Sequence, residues 1–395
     1  MPSAGSSLQE IRRIDRSAFN MSEGLRAGAF VSAPLLLGIA TGQMEFVYTA
    51  LGALFLTNSQ GPRTGPTPVR LLFVACFIEA LAFGIGTLAG TTGWLAIPLT
   101  GIGVFLGLML GIYRGWGSVA MLTAINFAVG VGLLGGSVTA AGDRLVFSLL
   151  GGLWAFAGIE LRQFFVSRRV TPRSVVDAPL GSPTGSGSIE FQPRKSWMQS
   201  DAFKHAAIVG AAAMIGHSVG LVLGLPRDFW IVVTIIIALR PTIGETFTST
   251  SLIVLGTAIG AIIAASVTLT ITNDYLLWTL LLAFSIGLFA TRNMNVGLTQ
   301  VFLTPLIIIL LNILYPGQWQ LAEARILDVA IGGAISLLTV YLLWVRRAAQ
   351  RALSPTHGVP PSAGGISPSS QQEAADFVSR TARNTYCECS GTTVR

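Results

Sequence analysis

Hydrophobic positions come in long blocks separated by short polar or Pro/Gly-containing stretches. A helix crosses the hydrocarbon core of a bilayer with about 20 apolar residues, so blocks near that length predict membrane spans. The first half of the chain holds six, at residues 27–43, 45–57, 69–91, 93–112, 116–138 and 144–166. Six more follow at residues 203–223, 227–240, 249–271, 274–291, 295–315 and 325–346. The pattern predicts an all-α polytopic membrane protein with about twelve transmembrane helices.

The polar stretches set the boundaries. Residues 1–26 read as a cytoplasmic N-terminal segment, 27–166 as a first six-helix repeat and 203–347 as a second. Between them, residues 167–202 carry Pro172, Pro179, Pro183 and Pro193 among Ser, Gly and Arg, the composition of a linker. The tail, 348–395, is rich in Ser, Pro, Gly and Gln, has no apolar period and reads as disordered. Each set of six opens with a full span, continues with a short one, and closes alike: Arg144 through Gly151-Gly152 aligns with Arg325 through Gly332-Gly333 without a gap. Matched Arg and Gly-Gly at equal spacing predict an internal duplication, and six spans per repeat makes the repeats parallel.

Composition agrees with lipid as the main solvent. Charged residues make up 11% of the 395, against roughly a quarter in a soluble domain, and the mean hydropathy is +0.67. This excludes a disordered protein, a nucleic-acid-binding domain and a large soluble enzyme. The net charge of +7 reports topology instead. With the N-terminus inside, all but Arg144, Arg227 and Arg325 of the 25 Lys and Arg fall on the cytoplasmic side, so both termini and the linker are expected there. No short apolar region with a cleavage site follows Arg12, Arg13 and Arg16, so no cleaved signal peptide is expected.

Several residues are candidates for function. The second and eighth blocks are too short to cross as straight helices and occupy corresponding places in the two halves. Paired interruptions of this kind point to a transporter's binding site, the alternative being tilted or partly interfacial helices. Glu79, mid-span in the third block, is either a proton-coupling carboxylate or a protonated group making one interhelical hydrogen bond. Asp328 follows Arg325 by one turn and reads as half of an ordinary helix-surface ion pair. His217 reads as interfacial. Gly103, Gly107, Gly111 and Gly115 form a small-residue face for close helix packing. Pro34, Pro98 and Pro305 should kink their helices. Thr304-Pro305 with Asn295, Gln300 and Asn312 gives the eleventh block a polar side, for substrate lining or for helix–helix hydrogen bonds. No Gly-Lys dipeptide exists, so no P-loop is present. His205, His217 and His357 share no metal spacing, and neither a metal nor a cofactor is expected; Cys387-x-Cys389 is a weak hint at best.

One stretch resembles a known family. An apolar run ending Arg240-Pro241-x-x-Gly244, then Gly256-Thr257-x-x-Gly260, then Arg325-x-x-Asp328-x-x-x-Gly332, is similar to the fusaric acid resistance protein-like family, which includes bacterial aromatic-acid exporters. The first half shares it weakly, through Gly61, Arg70, Arg144 and Gly151. Family members often carry arginines ahead of the Gly-Thr pair, where this chain has Ser249 and Ile253. Larger relatives carry a soluble domain between the halves, which the linker is too short to hold.

The resemblance implies a bacterial inner-membrane transporter exporting small organic anions, aromatic or other weak acids, and the mid-span Glu79 points to the proton gradient as energy source. On that reading Arg240, Pro241, Asn295, Gln300 and Asn312 bind substrate and Glu79 couples the proton. Gly244, Gly256, Thr257, Gly260, Arg325, Asp328 and Gly332 join Gly103, Gly107 and Gly111 as structural motifs. The expected partners are the lipid bilayer and the anion, with a periplasmic membrane-fusion subunit or a second copy of the chain left open, and no nucleic acid. A passive anion channel and a non-transporting scaffold are the alternatives.

Overall fold

The computed structural model describes residues 15–60, 68–113, 115–133, 136–169, 200–315 and 320–353. Among them run α1 (Met21–Thr41), α2 (Phe46–Ser59), α3 (Val69–Gly90), α4 (Ala96–Met109), α5 (Gly117–Gly132) and α6 (Val138–Arg169). The second half gives α7 (Asp201–Val222), α8 (Phe229–Ala238), α9 (Ile243–Thr270), α10 (Asp274–Thr291), α11 (Val296–Leu314) and α12 (Leu321–Leu353). The described residues contain no strand, and nine of their helical segments are long and apolar enough to cross a membrane. The protein is thus an all-α polytopic membrane protein. Residues up to Leu343 form one compact unit, so the two halves are not separate bodies.

Most helix boundaries depart from the hydrophobic blocks for local reasons. α1 starts at Met21, inside the expected N-terminal segment, because the Asn20 side chain accepts from the Glu23 N–H and caps the first turn. α9 starts at Ile243, where Thr242 caps through the Glu245 N–H. α5 stops at Gly132 rather than near 138, as the chain turns extended at Leu133. α6 opens at Val138 instead of 144, and α12 continues to Leu353, taking in the first residues of the expected tail. The rest of the linker (170–199) and tail (354–395), with Cys387 and Cys389, lies outside the described residues, as does Gly61.

The short helices lie innermost. α8 reads Phe-Trp-Ile-Val-Val-Thr-Ile-Ile-Ile-Ala, apolar all round, which suits burial on every side rather than on one stripe. Every described residue of it but Ile237 is buried, and α2 is almost as enclosed. At 10 residues α8 is about 15 Å long, half the hydrocarbon thickness. The longer helices turn apolar side chains outward instead, as with Phe73, Phe77, Leu81 and Ile85 along α3.

Close approaches at glycine recur between the halves. A Cβ on Gly86 or Gly90 of α3 would collide with the carbonyl oxygens of Phe127 and Val131 on α5. In the second half Gly256 of α9 stands the same way against the Gly297 carbonyl on α11, and a Cβ on Gly260 would press on Thr304, Pro305 and the Val301 carbonyl of the same helix. Likewise Gly151 of α6 abuts the Thr49 carbonyl on α2, and Gly332 of α12 the Ile231 carbonyl on α8. Between the halves, α1 packs on α10 and α4 on α7, so the first helix of each half meets the fourth of the other. Gly103 and Gly107 of α4 face Phe127 and Ala124 of α5, while Gly111 leaves ordinary contact distance and Gly115 lies in a turn.

Pro34 removes the N–H that would bond Phe30 O. The Trp154 indole of α6 donates to that carbonyl at 3.0 Å, and Trp278 of α10 donates to Ser32 O at 2.9 Å. Where α1 begins, Arg26 and Arg292 gather on Glu23, and Arg292 also donates to Thr57 O near the C-terminal end of α2. That end of the molecule is the near face. The end where α1 finishes, and where α2 and α8 begin, is the far face.

Candidate functional site

At the far face the first residues of α2 and α8 meet three buried arginines. These are Arg144, Arg227 and Arg325, the same three that break the positive-inside count. Arg144 of α6 donates to Thr87 Oγ1 at 3.3 Å and to Leu133 O at 3.4 Å, the carbonyl freed where α5 ends. Its guanidinium lies 5.6 Å from the Tyr48 ring centroid, near the start of α2. Arg325 of α12 stacks 4.0 Å over Trp230, near the start of α8. Arg227, in the loop before α8, lies 5.1 Å over Tyr315 at the end of α11. Stacking occupies the face of the Arg325 guanidinium, and its Nη1 has no hydrogen-bond partner among the described residues.

Two carboxylates and a histidine complete the centre. Asp228, the residue before α8, makes no side-chain cap there. Instead its Oδ2 lies 3.1 Å from Nδ1 of buried His217 on α7, close but not aligned as a hydrogen bond. Gly220 makes the approach possible, since a Cβ there would collide with Asp228. Arg227 is held at φ 66°, the left-handed region, which costs a non-glycine residue roughly 1–3 kcal/mol. Asp328, fully buried, lies within electrostatic reach of Arg325 and Asp228, yet neither carboxylate oxygen has a hydrogen-bond partner among the described residues. The expected surface ion pair of Arg325 with Asp328 is therefore not what forms. Both residues face inward, because α12 turns this side toward α8 and α9.

A cleft of about 530 Å³ opens on the centre, bounded by the far ends of α3, α5 and α7, the start of α4 and the loop 225–228. His217, Arg227 and Asp228 lie on its wall, as do Thr87 and Trp94. The α8 N-terminus adds the positive end of its helix dipole. His217, expected at the interface, is instead buried beside Asp228.

The other candidates are spread out. Glu79 is buried in α3 and accepts from Ser59 Oγ near the near-face end of α2. Arg240 follows α8 at the near face, where its N–H donates to Thr246 Oγ1 and its carbonyl accepts from the same hydroxyl. Pro241 and Gly244 are exposed beside it. Asn295 caps α11 through the Gly297 N–H, Gln300 packs on Gly256, and Asn312 lies toward the far end. Asn295 and Asn312 are about 25 Å apart along the axis, so α11 does not offer them to one ligand.

The fold and centre define a polytopic membrane protein with a buried, mostly cationic polar cluster. Residues 211–339, from α7 to α12, match a protein-family model described as fusaric acid resistance protein-like. All nine residues that carried the resemblance in the second half fall inside that stretch. The chain is 26% identical over 164 residues to the inner membrane protein YccS of Escherichia coli (strain K12), covering 41% of this chain and 23% of that protein. It is 29% identical over 143 residues to the uncharacterized protein slr1298 of Synechocystis sp., covering 35% of this chain and 19% of that one. The chain thus aligns with less than a quarter of the length of either relative. No solved structure matches it significantly.

Proposed function

We propose that this protein is an inner-membrane carrier exporting small organic anions, aromatic or other weak acids, with the proton gradient as energy source. The observation that carries the reading is the far-face centre. Three buried guanidiniums and two buried carboxylates gather at the starts of two short central helices, and Arg325 Nη1, without a hydrogen-bond partner among the described residues, is a donor for a bound anion. Substrate class and direction come with the family resemblance. The aromatic partners Tyr48, Trp230 and Tyr315 suit a flat ligand.

Arg240 marks the near-face end of the same helix that Arg227 precedes, so α8 carries an anion contact at each end. Glu79, held through Ser59, is the proton carrier. The halves are parallel repeats, a reading supported by the matched glycine approaches and by the Arg144–Tyr48 and Arg325–Trp230 stacks. Both termini and the linker face the cytoplasm, which makes the far face external. Labelling of a cysteine placed at Ser186 by an impermeant reagent in intact cells would overturn that orientation.

The test of function is benzoate flux in liposomes under an imposed pH gradient. Flux above protein-free vesicles that is lost in Arg325→Gln is the expected result. Flux indifferent to Arg325 and Arg240 overturns the reading, and single-channel currents under voltage clamp would replace the carrier by a channel.

A further inference from the structure

Glu79 changes charge, on the proposed reading, in a place that offers it little support. It is buried in the middle of α3, and no charged side chain among the described residues acts on it. The titratable group beside it is the Cys76 thiol, one turn back on the same helix, which lies against Gly152 of α6. From α4, Ala96 joins Ala82 and Ala89 in an apolar cluster. α5 approaches through Ser118, and α2 through Ser59, the hydrogen-bond partner of Glu79 among the described residues.

Ser59 is the last residue of α2, where the final carbonyls of a helix lack partners within it. Two of them are bonded from outside. Ser118 Oγ of α5 donates to Ser59 O at 2.6 Å, and Arg292, at the end of α10, donates to Thr57 O at 2.9 Å. These bonds pin the backbone around Ser59 from both halves of the chain and leave its hydroxyl free to rotate. Two acceptors lie within that rotation, Glu79 Oε1 and the Phe55 carbonyl, the latter at 3.3 Å.

A serine hydroxyl has one proton to give and two lone pairs to accept with; an ionised carboxylate only accepts, and a protonated carboxyl also donates. When Glu79 is ionised, Ser59 donates to its Oε1. When Glu79 is protonated, its O–H donates to Ser59 Oγ, and the serine proton turns to Phe55 O. A buried polar group left without a partner costs roughly 1–3 kcal/mol, so a partner that reverses removes that penalty from both charge states.

We infer that Ser59 is the positioning residue of the proton carrier, a hydroxyl that reverses its hydrogen bond each time Glu79 gains or loses its proton. This role rests on the reading of Glu79 as that carrier and deepens it. An alanine at position 59 leaves both the carboxylate and the acid without their bond, so the proton moves on and off Glu79 against a cost that the wild type avoids.

Infrared difference spectra between acidic and alkaline pH, recorded on the full chain in lipid nanodiscs, read the carbonyl stretch of a protonated carboxyl directly. The band of Glu79 is the one absent in E79Q. In S59A it is expected at higher frequency, the position of a carboxyl that has lost its hydrogen bond, and in S59T, which keeps the hydroxyl, at the wild-type position. Benzoate flux driven by a pH gradient is expected to fall about tenfold in S59A, the order of one hydrogen bond to a charged group, with benzoate affinity unchanged, and to recover in S59T. A Glu79 band unmoved in S59A, or undiminished flux in that variant, overturns the role of Ser59 and leaves Glu79 standing as the carrier. A wild type without a band that E79Q removes shows that Glu79 does not titrate, and overturns the carrier reading and this one with it. Thermal melting identifies a variant that has failed to fold; S59G, suited to the last residue of a helix, then takes the place of S59A.

Discussion

The two halves make similar arginine–aromatic and glycine–carbonyl contacts with different degrees of satisfaction. In the first, Arg144 stacks on Tyr48 and is anchored to Thr87 and the Leu133 carbonyl, and Glu79 is bonded by Ser59. In the second, Arg325 stacks on Trp230, but its Nη1 and the hydroxyls of Thr257, Ser249 and Thr250 lack hydrogen-bond partners among the described residues. Counting along α3 and α9 from the matched glycine approaches, Thr87 corresponds to Thr257 and Glu79 to Ser249. On the proposed reading of the halves as repeats, one framework serves two purposes. A buried donor that is already bonded holds helices together, and one left open is available to a ligand.

The largest effects should come from what the halves share. Gly86→Val and Gly256→Val each force a side chain into a facing carbonyl, and both are expected to cost about 3 kcal/mol or abolish folding, read as loss of monodisperse protein in detergent. A mild effect in one half alone would break the equivalence. Next, Arg144→Gln should destabilise by about 2–3 kcal/mol, since it removes two charge-assisted bonds. Arg325→Gln should melt within a few degrees of wild type and lose benzoate binding at least tenfold. Reversed rankings would invert the division of labour.

Glu79→Gln sharpens the asymmetry further. It retains the bond from Ser59 and removes the titrating proton, so proton-driven flux should stop while benzoate binding survives. Smallest of all, Arg240→Lys should weaken binding about threefold by losing the bidentate fork, and Arg240→Ala more. Wild-type affinity in the lysine variant would leave Arg240 as a membrane-edge anchor only.

Much of this was legible in the chain. Twelve apolar helices followed from twelve blocks, though only nine helical segments among the described residues are long and apolar enough to cross a membrane, and the short second and eighth helices followed from blocks that stop early. The stretch Arg240 to Gly332 carried its resemblance in plain sequence. Gly86-Thr87-x-x-Gly90 repeats the Gly-Thr-x-x-Gly of α9 word for word, but passes unnoticed when the halves are aligned on their closing helices. The arginine centre was harder to see. Arg144, Arg227 and Arg325 are far apart in sequence, and a count of basic residues treats them as exceptions to a topology rule rather than as neighbours. Their burial was the missing term, because a cation on the wrong side of that count is tolerated when protein, not lipid, surrounds it. Helix ends such as Met21 and Ile243 depend on caps that hydropathy does not register.

The exchange of α1 and α4 between the halves also bears on how the chain enters the membrane. α1 packs along α10, whose first residue is made more than 200 residues after α1 is complete. At about 5–20 residues per second, the gap is roughly 10–50 seconds of synthesis. During that time Glu23 has its neighbour Arg26, but Arg292 does not yet exist, and the Ser32 carbonyl still awaits Trp278. A ribosome stalled before Asp274 would leave the first half inserted with one flank of α1 open to lipid. Insertion factors and quality-control proteases would meet that intermediate on every round of translation.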